Sequence, residues 1–386
     1  YPLYIAPPGS PNCGFGDLSS RPAGGGMGGF MEYFARVKGA QEALAANGTG
    51  GTSAGNWRWW SESWNTKAEG GVLGFIYSAN LPELPPAKAP TDLPPSKVFR
   101  GIGVASLHSN LLDSRDDVHF LFKSSPFGTQ SHGHNPHNSF QLNAYGETLL
   151  ACNGFRDLHG SKFHYNWVHS TVAQNAVLVN GEGQIKHTAA PHGKISDFKF
   201  TKDWDYVVGD ADDAYGGRLK RYRRHVIFVK PDLIVLCDDL AAAQPSTFQF
   251  MLHAFKSFEV DEKNAAASLE QPKAGVGIKY LSPTPIAFRQ WDGYDPKPSK
   301  EFPNQWHLEA GTKEKSAELS VLTVLVPYRA GQRAEWSAER VENETAVGVR
   351  ISRAGKTHLI GFRKAGVTGA ATLDGKTFEG AVLLSQ

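Results

Sequence analysis

Three cysteines in 386 residues (Cys13, Cys152 and Cys237) are too few, and odd in number, for a disulfide scaffold, although they are compatible with an oxidising compartment. A surplus of one charge is missing too. Forty Lys and Arg stand against 38 Asp and Glu, a formal net charge of +2, which excludes a general nucleic-acid binder and confines any polyanion site to a local patch. No run approaches the roughly 18 consecutive apolar residues that span a bilayer, so no membrane helix is expected. Tyr1 is not an initiator Met and no signal peptide follows it, so the expectation is that a preceding segment was removed or not included. No internal repeat of solenoid or propeller length is present. What the chain has in quantity is Gly (41), Pro (23) and aromatic side chains (22 Phe, 12 Tyr, 9 Trp), the composition of a turn-rich globular protein long enough for more than one domain.

Residues 28–46 carry Phe30, Met31, Phe34, Val37, Ala40 and Leu44 at helical spacing, and Asn47-Gly48 can end that helix. Trp57, Trp60 and Trp64 repeat at the same period, and Val72 to Ala79 is a further apolar stretch. The tryptophan stripe reads as helix-packing core, with a sugar-stacking platform as the alternative. Residues 1–80 are therefore expected to be helical. Six prolines between Leu81 and Val98 cannot continue a helix and mark residues 81–98 as a stiff linker.

From residue 99 to 386 the pattern becomes short β-type runs: Val118 to Phe122, Ser139 to Leu142, Ala176 to Val179, His225 to Val229, Leu233 to Cys237, Leu319 to Val326 and His358 to Phe362. Turn signals such as Asn180-Gly181, Lys230-Pro231-Asp232 and Asp374-Gly375 separate them. Many strands without intervening helices predict antiparallel sheets, most simply a sandwich.

Polar chemistry concentrates in SHGHNPHNSF (131–140), where three of the 14 histidines fall within six residues. In an extended chain His132 and His134 point to the same side, so one can serve substrate while its neighbour serves a metal or a structural partner. A histidine-rich surface loop is the plainer reading. A second cluster holds His159, His164, Tyr165, Trp167 and His169. The basic run Arg218, Lys220, Arg221, Arg223 and Arg224 lies in a strand whose alternation divides it between two faces, so a solvated sheet face is expected in preference to one polyanion stripe.

SHGHNPHNSF, followed by AYGE, ACNGF, HYNW, STVAQNAVLVNGEGQ, RRHVIFVKPDLIVLCDDL and FQFMLH, resembles the sandwich domain of the heparinase II/III-like polysaccharide lyases, which include alginate lyases. GFGDLSS (14–20) resembles the late part of that family's N-terminal α/α-toroid. The resemblance implies an α+β multidomain chain, with partial toroid helices followed by a large antiparallel β-sandwich. It implies a periplasmic or secreted bacterial enzyme that cleaves uronic-acid polysaccharides, alginate or glycosaminoglycan, by β-elimination. The alternative is a non-catalytic carbohydrate-binding sandwich.

Carried over by position, the catalytic sandwich histidine is His132, with His137, Asn138, His164 and Tyr165 as substrate contacts. The family's catalytic Tyr and a further His or Asn come from the toroid, so a toroid fragment of the same precursor is an expected partner beside the acidic polysaccharide. A Zn ion held in the family by His, Asp and His falls here on His134, Cys152 and Gln174. Thiolate is a good Zn ligand and an amide oxygen a poor one, so the resemblance implies either a weakened site, completed by a histidine such as His164 or His169, or none.

Overall fold

A computed structural model of the chain describes residues 1–12, 14–17, 28–45, 53–66, 72, 74–75, 82–128, 132–134, 137–152 and 155–385. Its centre is an eight-stranded antiparallel sheet, in the order Glu259–Asp261, Ala266–Glu270, Ala274–Leu281, Ser316–Arg329, Leu233–Ser246, Leu219–Val229, Trp204–Asp210 and Lys194–Phe200. The period-two alternation of these strands makes both faces apolar. Val226, Phe228, Ile234, Leu236 and Val321 point one way, while Ile227, Val229, Val235, Cys237, Leu322 and Val324 point the other.

The first face packs on two sheets. One is a five-stranded meander of Lys97–Phe99, Val104–His108, Val118–Lys123, Ser139–Ala144 and Glu147–Leu150; the other has four strands in the order Ile286–Asp292, Trp306–Thr312, Phe248–Ala254 and Val177–Val179. The second face packs on Trp336–Glu342, Ala346–Arg353, Lys356–Arg363 and Val382–Ser385. The sandwich thus has a third layer that the sequence reading did not separate. Six of the seven expected runs fall within strands and the seventh, Ala176 to Val179, overlaps the strand Val177–Val179, while Asn180-Gly181 and Asp374-Gly375 take the positive φ that tight turns require.

Helices form at Pro2–Ile5, Gly28–Ala45 and Ser53–Ser63. Trp60 is buried and, with Trp64, donates its indole N–H to the Ala6 carbonyl at 2.7 and 3.2 Å. Trp60 and Trp64 thus serve packing and hydrogen bonding within the helical part. Among the side chains described on Gly28–Ala45, Tyr33 and Ala35 are buried while Phe34 and Val37 of the expected apolar stripe are exposed; Phe30, Met31 and Leu44 of that stripe lie outside the described side chains. Asn47-Gly48 and most of 72–79 lie outside the described residues. The proline-rich stretch is fastened along its length: Arg58 donates to the Pro85 carbonyl, Asn56 to Lys88, Tyr4 Oη to Pro94, and Ser96 to Asp205.

Residues 4–12 and 14–17 form a strap across the outer face of the five-stranded sheet. Ile5 and Phe15 cover Val104 and Leu121, while the polar residues of the same face reach for the strap's backbone. Ser106 and His108 bond the Tyr4 carbonyl at 2.8 and 2.7 Å, Ser114 bonds Pro8 at 2.8 Å, and Gln141 bonds Gly14 at 2.7 Å. Asn143 and Asn12 exchange side-chain bonds at 2.7 and 3.1 Å. This explains why Val104–His108 and Ser139–Ala144 are buried on both faces.

The basic run pairs residue by residue: Arg218 with Glu182, Arg221 with Asp239, Arg223 with Asp210 and Arg224 with Asp238. Arg224 is interior. It makes a bidentate pair with Asp238 (2.7 and 3.0 Å) and donates to the Asn138 and Asn175 carbonyls at 2.6 and 2.9 Å. Replacing Arg224 by Met leaves Asp238 buried without its partner and is expected to cost about 3–5 kcal/mol in urea unfolding.

A pH dependence follows from the buried histidines. Burial, with the charge of Lys123, holds His137 down at about 3, and burial with the charge of Arg223 holds His225 at about 4. Both stay neutral in the fold and take up a proton only on unfolding, so the stability they confer is complete above about pH 6.5 and is lost as pH falls toward their folded values. Each adds a slope of up to about 1.4 kcal/mol per pH unit. The unfolding free energy from urea titrations should therefore fall between about pH 6.5 and 5, by about 2–4 kcal/mol for the pair. A flat profile would contradict the neutral assignment.

Candidate functional site

The strap ends in Gly14-Phe15-Gly16-Asp17. Gly14 and Gly16 adopt φ of +99° and +92°, and a Cβ on Gly16 would meet the His132 carbonyl oxygen at 3.0 Å. That close approach brings the Asp17 N–H to the His132 carbonyl (3.3 Å) and its carboxylate between two rings. His132 Nδ1 donates to Oδ2 at 2.8 Å, His134 Nε2 donates to Oδ1 at 3.1 Å, and Arg156 Nε stands 3.6 Å from Oδ2. Burial opposes ionisation of Asp17, but the bonds and charges of His134 and His132 outweigh it and hold the carboxyl at about 2. The His132 side chain is 60% exposed, that of His134 only 1%.

Further histidines continue inward from this pair. The His134 ring centroid lies 5.6 Å from that of His169, which lies 4.5 Å from His164 and stacks on His187 at 4.9 Å. His159 is 4.9 Å from His164, and the exposed Tyr165 stacks on His187 at 3.5 Å with Lys186 over its ring. His164 Nδ1 accepts the Gly160 N–H (3.4 Å), so its proton sits on Nε2 and points at His169 Nε2, 3.3 Å away. Burial, reinforced by His134, holds His169 at about 3, and burial lowers His164 and His187 as well. The result is the ionised Asp17 beside imidazoles of which His164, His169 and His187 are held toward the neutral form, able to offer both donors and acceptors to a polar ligand, while Arg156 and Lys186 supply positive charge.

The structure brings four of the sequence-derived residues together: His132 at the surface, His134 beneath it, His164 deeper, and Tyr165 on the rim. His137 and Asn138 are placed elsewhere. His137 Nδ1 accepts the Ser125 N–H, and its backbone exchanges bonds with Gln184. Asn138 sits at φ +56° and donates to the Gly209 and Tyr222 carbonyls. Both are buried, so the substrate contact expected of them is not available at the surface. Sequence reading missed Asp17, Arg156 and His187 as site residues. Asp17 lies 115 positions from His132, and only the GFGD string hinted at it.

The three positions implied for Zn do not fit that ion. His134 Nε2 is engaged by Asp17. Burial pushes the Cys152 thiol up to about 11, and it bonds Ser139 and the Phe140 carbonyl instead of being held as a thiolate. Gln174 is buried, and neither side-chain amide atom has a hydrogen-bond partner among the described residues. Among the described residues no three His, Cys, Asp or Glu side chains converge as metal donors.

No helix among the described residues is long and apolar enough to cross a membrane. Comparison with curated protein sequences gives no significant match. Solved structures do resemble the chain: the heparan sulfate lyase HepC from Pedobacter heparinus (TM-score 0.66, 13% identity, 94% of this chain and 51% of that one) and a heparinase III (0.63, 13%, 94% and 53%). The chain thus spans about half the length of these relatives, and the likeness is one of fold. Residues 91–349 match the family model described as heparinase II/III-like, C-terminal, which covers the central sheet, most of the strand and turn motifs and both histidine clusters; the chain belongs to that family.

Proposed function

We propose that the chain is the sandwich-bearing part of a bacterial polysaccharide lyase, periplasmic or secreted, that cleaves a uronic-acid-containing polysaccharide by β-elimination. A substrate of the heparan sulfate type is favoured over alginate, because the similar structures include a heparan sulfate lyase. The observation that carries the reading is His132: exposed, hydrogen-bonded through Nδ1 to an ionised Asp17, and set at the mouth of a histidine cluster in a chain of this family.

In β-elimination the C5–H bond breaks, its electron pair forms the C4=C5 double bond, the C4–O4 bond breaks, and O4 leaves with a proton. The site must hold the uronate carboxylate while its charge is delocalised. Arg156 supplies a donor of that kind, His132 an imidazole nitrogen able to accept a proton, and Tyr165 an aromatic wall. The remaining acid–base group, a Tyr in this reading, belongs to helical sequence outside this chain, consistent with the half-length match.

The test is the ultraviolet absorbance of the unsaturated product when the complete polypeptide meets heparan sulfate or alginate. Replacing His132 by Ala should lower turnover on the order of 100- to 1000-fold with the melting temperature unchanged. Retention of more than about a tenth of wild-type turnover would remove His132 from the reaction. Binding without product would favour the carbohydrate-binding reading. Because Asp17 engages the His134 ring and Ser139 and the Phe140 carbonyl engage the Cys152 thiol, added Zn should leave the melting temperature where it was, whereas a site at 100-fold ligand excess over Kd would add about 2.7 kcal/mol.

A further inference from the structure

We infer that Asp17 is a positioning residue: it fixes the proton of His132 on Nδ1, so that the Nε2 lone pair is what the exposed ring presents to a bound uronide. The inference takes its purpose from the lyase reading, but not its test.

Three observations carry it. A carboxylate only accepts, so both rings that meet Asp17 must donate to it: His132 through Nδ1 and His134 through Nε2. In a neutral imidazole the other nitrogen is then an acceptor, and in His132 that nitrogen belongs to a side chain 60% exposed. The carboxylate itself is held from several sides. Its side chain is 7% exposed, its N–H bonds the His132 carbonyl, and the preceding residues are tied to the five-stranded sheet by Gln141 on the Gly14 carbonyl. Asp17 is therefore delivered to the ring by a segment the sheet immobilises, which is the arrangement that sets a tautomer and does not merely neutralise a charge.

The amide of an Asp17→Asn variant has one accepting oxygen and one donating nitrogen, so one of the two rings must turn its own acceptor toward it. His134 is enclosed among other rings and His132 is not, so His132 changes tautomer and directs its lone pair inward. Gly16→Ala approaches the same outcome by another route, since its Cβ would press on the His132 carbonyl at 3.0 Å from a φ of +92°.

Long-range nitrogen–carbon-proton NMR correlations of uniformly 15N-labelled protein read each imidazole tautomer directly and need no activity. The expected result is a protonated Nδ1 and bare Nε2 at His132 in the wild type, and loss of that state in Asp17→Asn. In the active polypeptide Asp17→Asn should lower kcat by about 100-fold or more with KM within about threefold, the pattern of a misset proton and not of lost binding. A wild-type His132 protonated on Nε2, an unchanged tautomer in Asp17→Asn, or a variant that keeps wild-type kcat overturns the inference. If no uronate polymer yields unsaturated product, the lyase reading fails by itself, and the two spectra still decide the role of Asp17.

Discussion

The guanidinium of Arg224 is where the three sheets around the main core meet. It lies in the central sheet, bidentate to Asp238 on the neighbouring strand, and extends to two backbone carbonyls: Asn138, just before a strand of the five-stranded sheet, and Asn175, just before a strand of the four-stranded one. A buried charge is costly unless it is paired and hydrogen-bonded, and here four bonds and the faces of Phe140 and Tyr222 surround it. The two asparagines extend the junction, for Asn138 donates back to Gly209 and Tyr222, and Asn175 to Phe140 and Ala151. This geometry fixes where the histidine-rich loop ends and where the segment carrying His164 and His169 begins its return to the sheet. The site is placed by a junction that has no part in its chemistry.

Electrostatically the site is the reverse of that junction. Burial lowers His164, His169 and His187, and the Asp17 carboxylate is well outside its usual range because His134 and His132 bond to it. Charge is concentrated at the rim, on Arg156 and Lys186, and the interior holds hydrogen-bonding capacity. An anionic sugar would meet cations first and neutral donors and acceptors afterwards.

Strand positions were legible because alternating apolar residues report a half-buried pleat whatever its partners, and every expected run met a strand, with only Ala176 falling outside. The layer count was not, since a strand buried on both faces reads like any other apolar run. His132 and His134 were legible through their spacing, which fits two rings sharing one acceptor. Asn138 was misplaced because an asparagine looks the same in sequence whether it faces a ligand or adopts a left-handed turn. Arg224 could not be separated from Arg221 and Arg223 by charge, because what distinguishes it is a carboxylate on the adjacent strand. Asp17 was hidden by distance: nothing local to the histidine loop announces a partner from the other end of the chain.

The strap that carries Asp17 is gripped largely through its own carbonyl oxygens, by side chains that belong to the sheet and the helices. A carbonyl is the same for every residue type. Strap side chains that neither pack on the sheet, as Ile5 and Phe15 do, nor bond to their surroundings, as Tyr4 and Asn12 do, are thus free to drift over evolutionary time without loosening the grip, provided the two glycines that make its final bend survive. The sheet residues that do the gripping have no such freedom. In a set of diverging relatives the strap should therefore vary more than the face it covers, with islands of constancy at Gly14, Gly16 and Asp17.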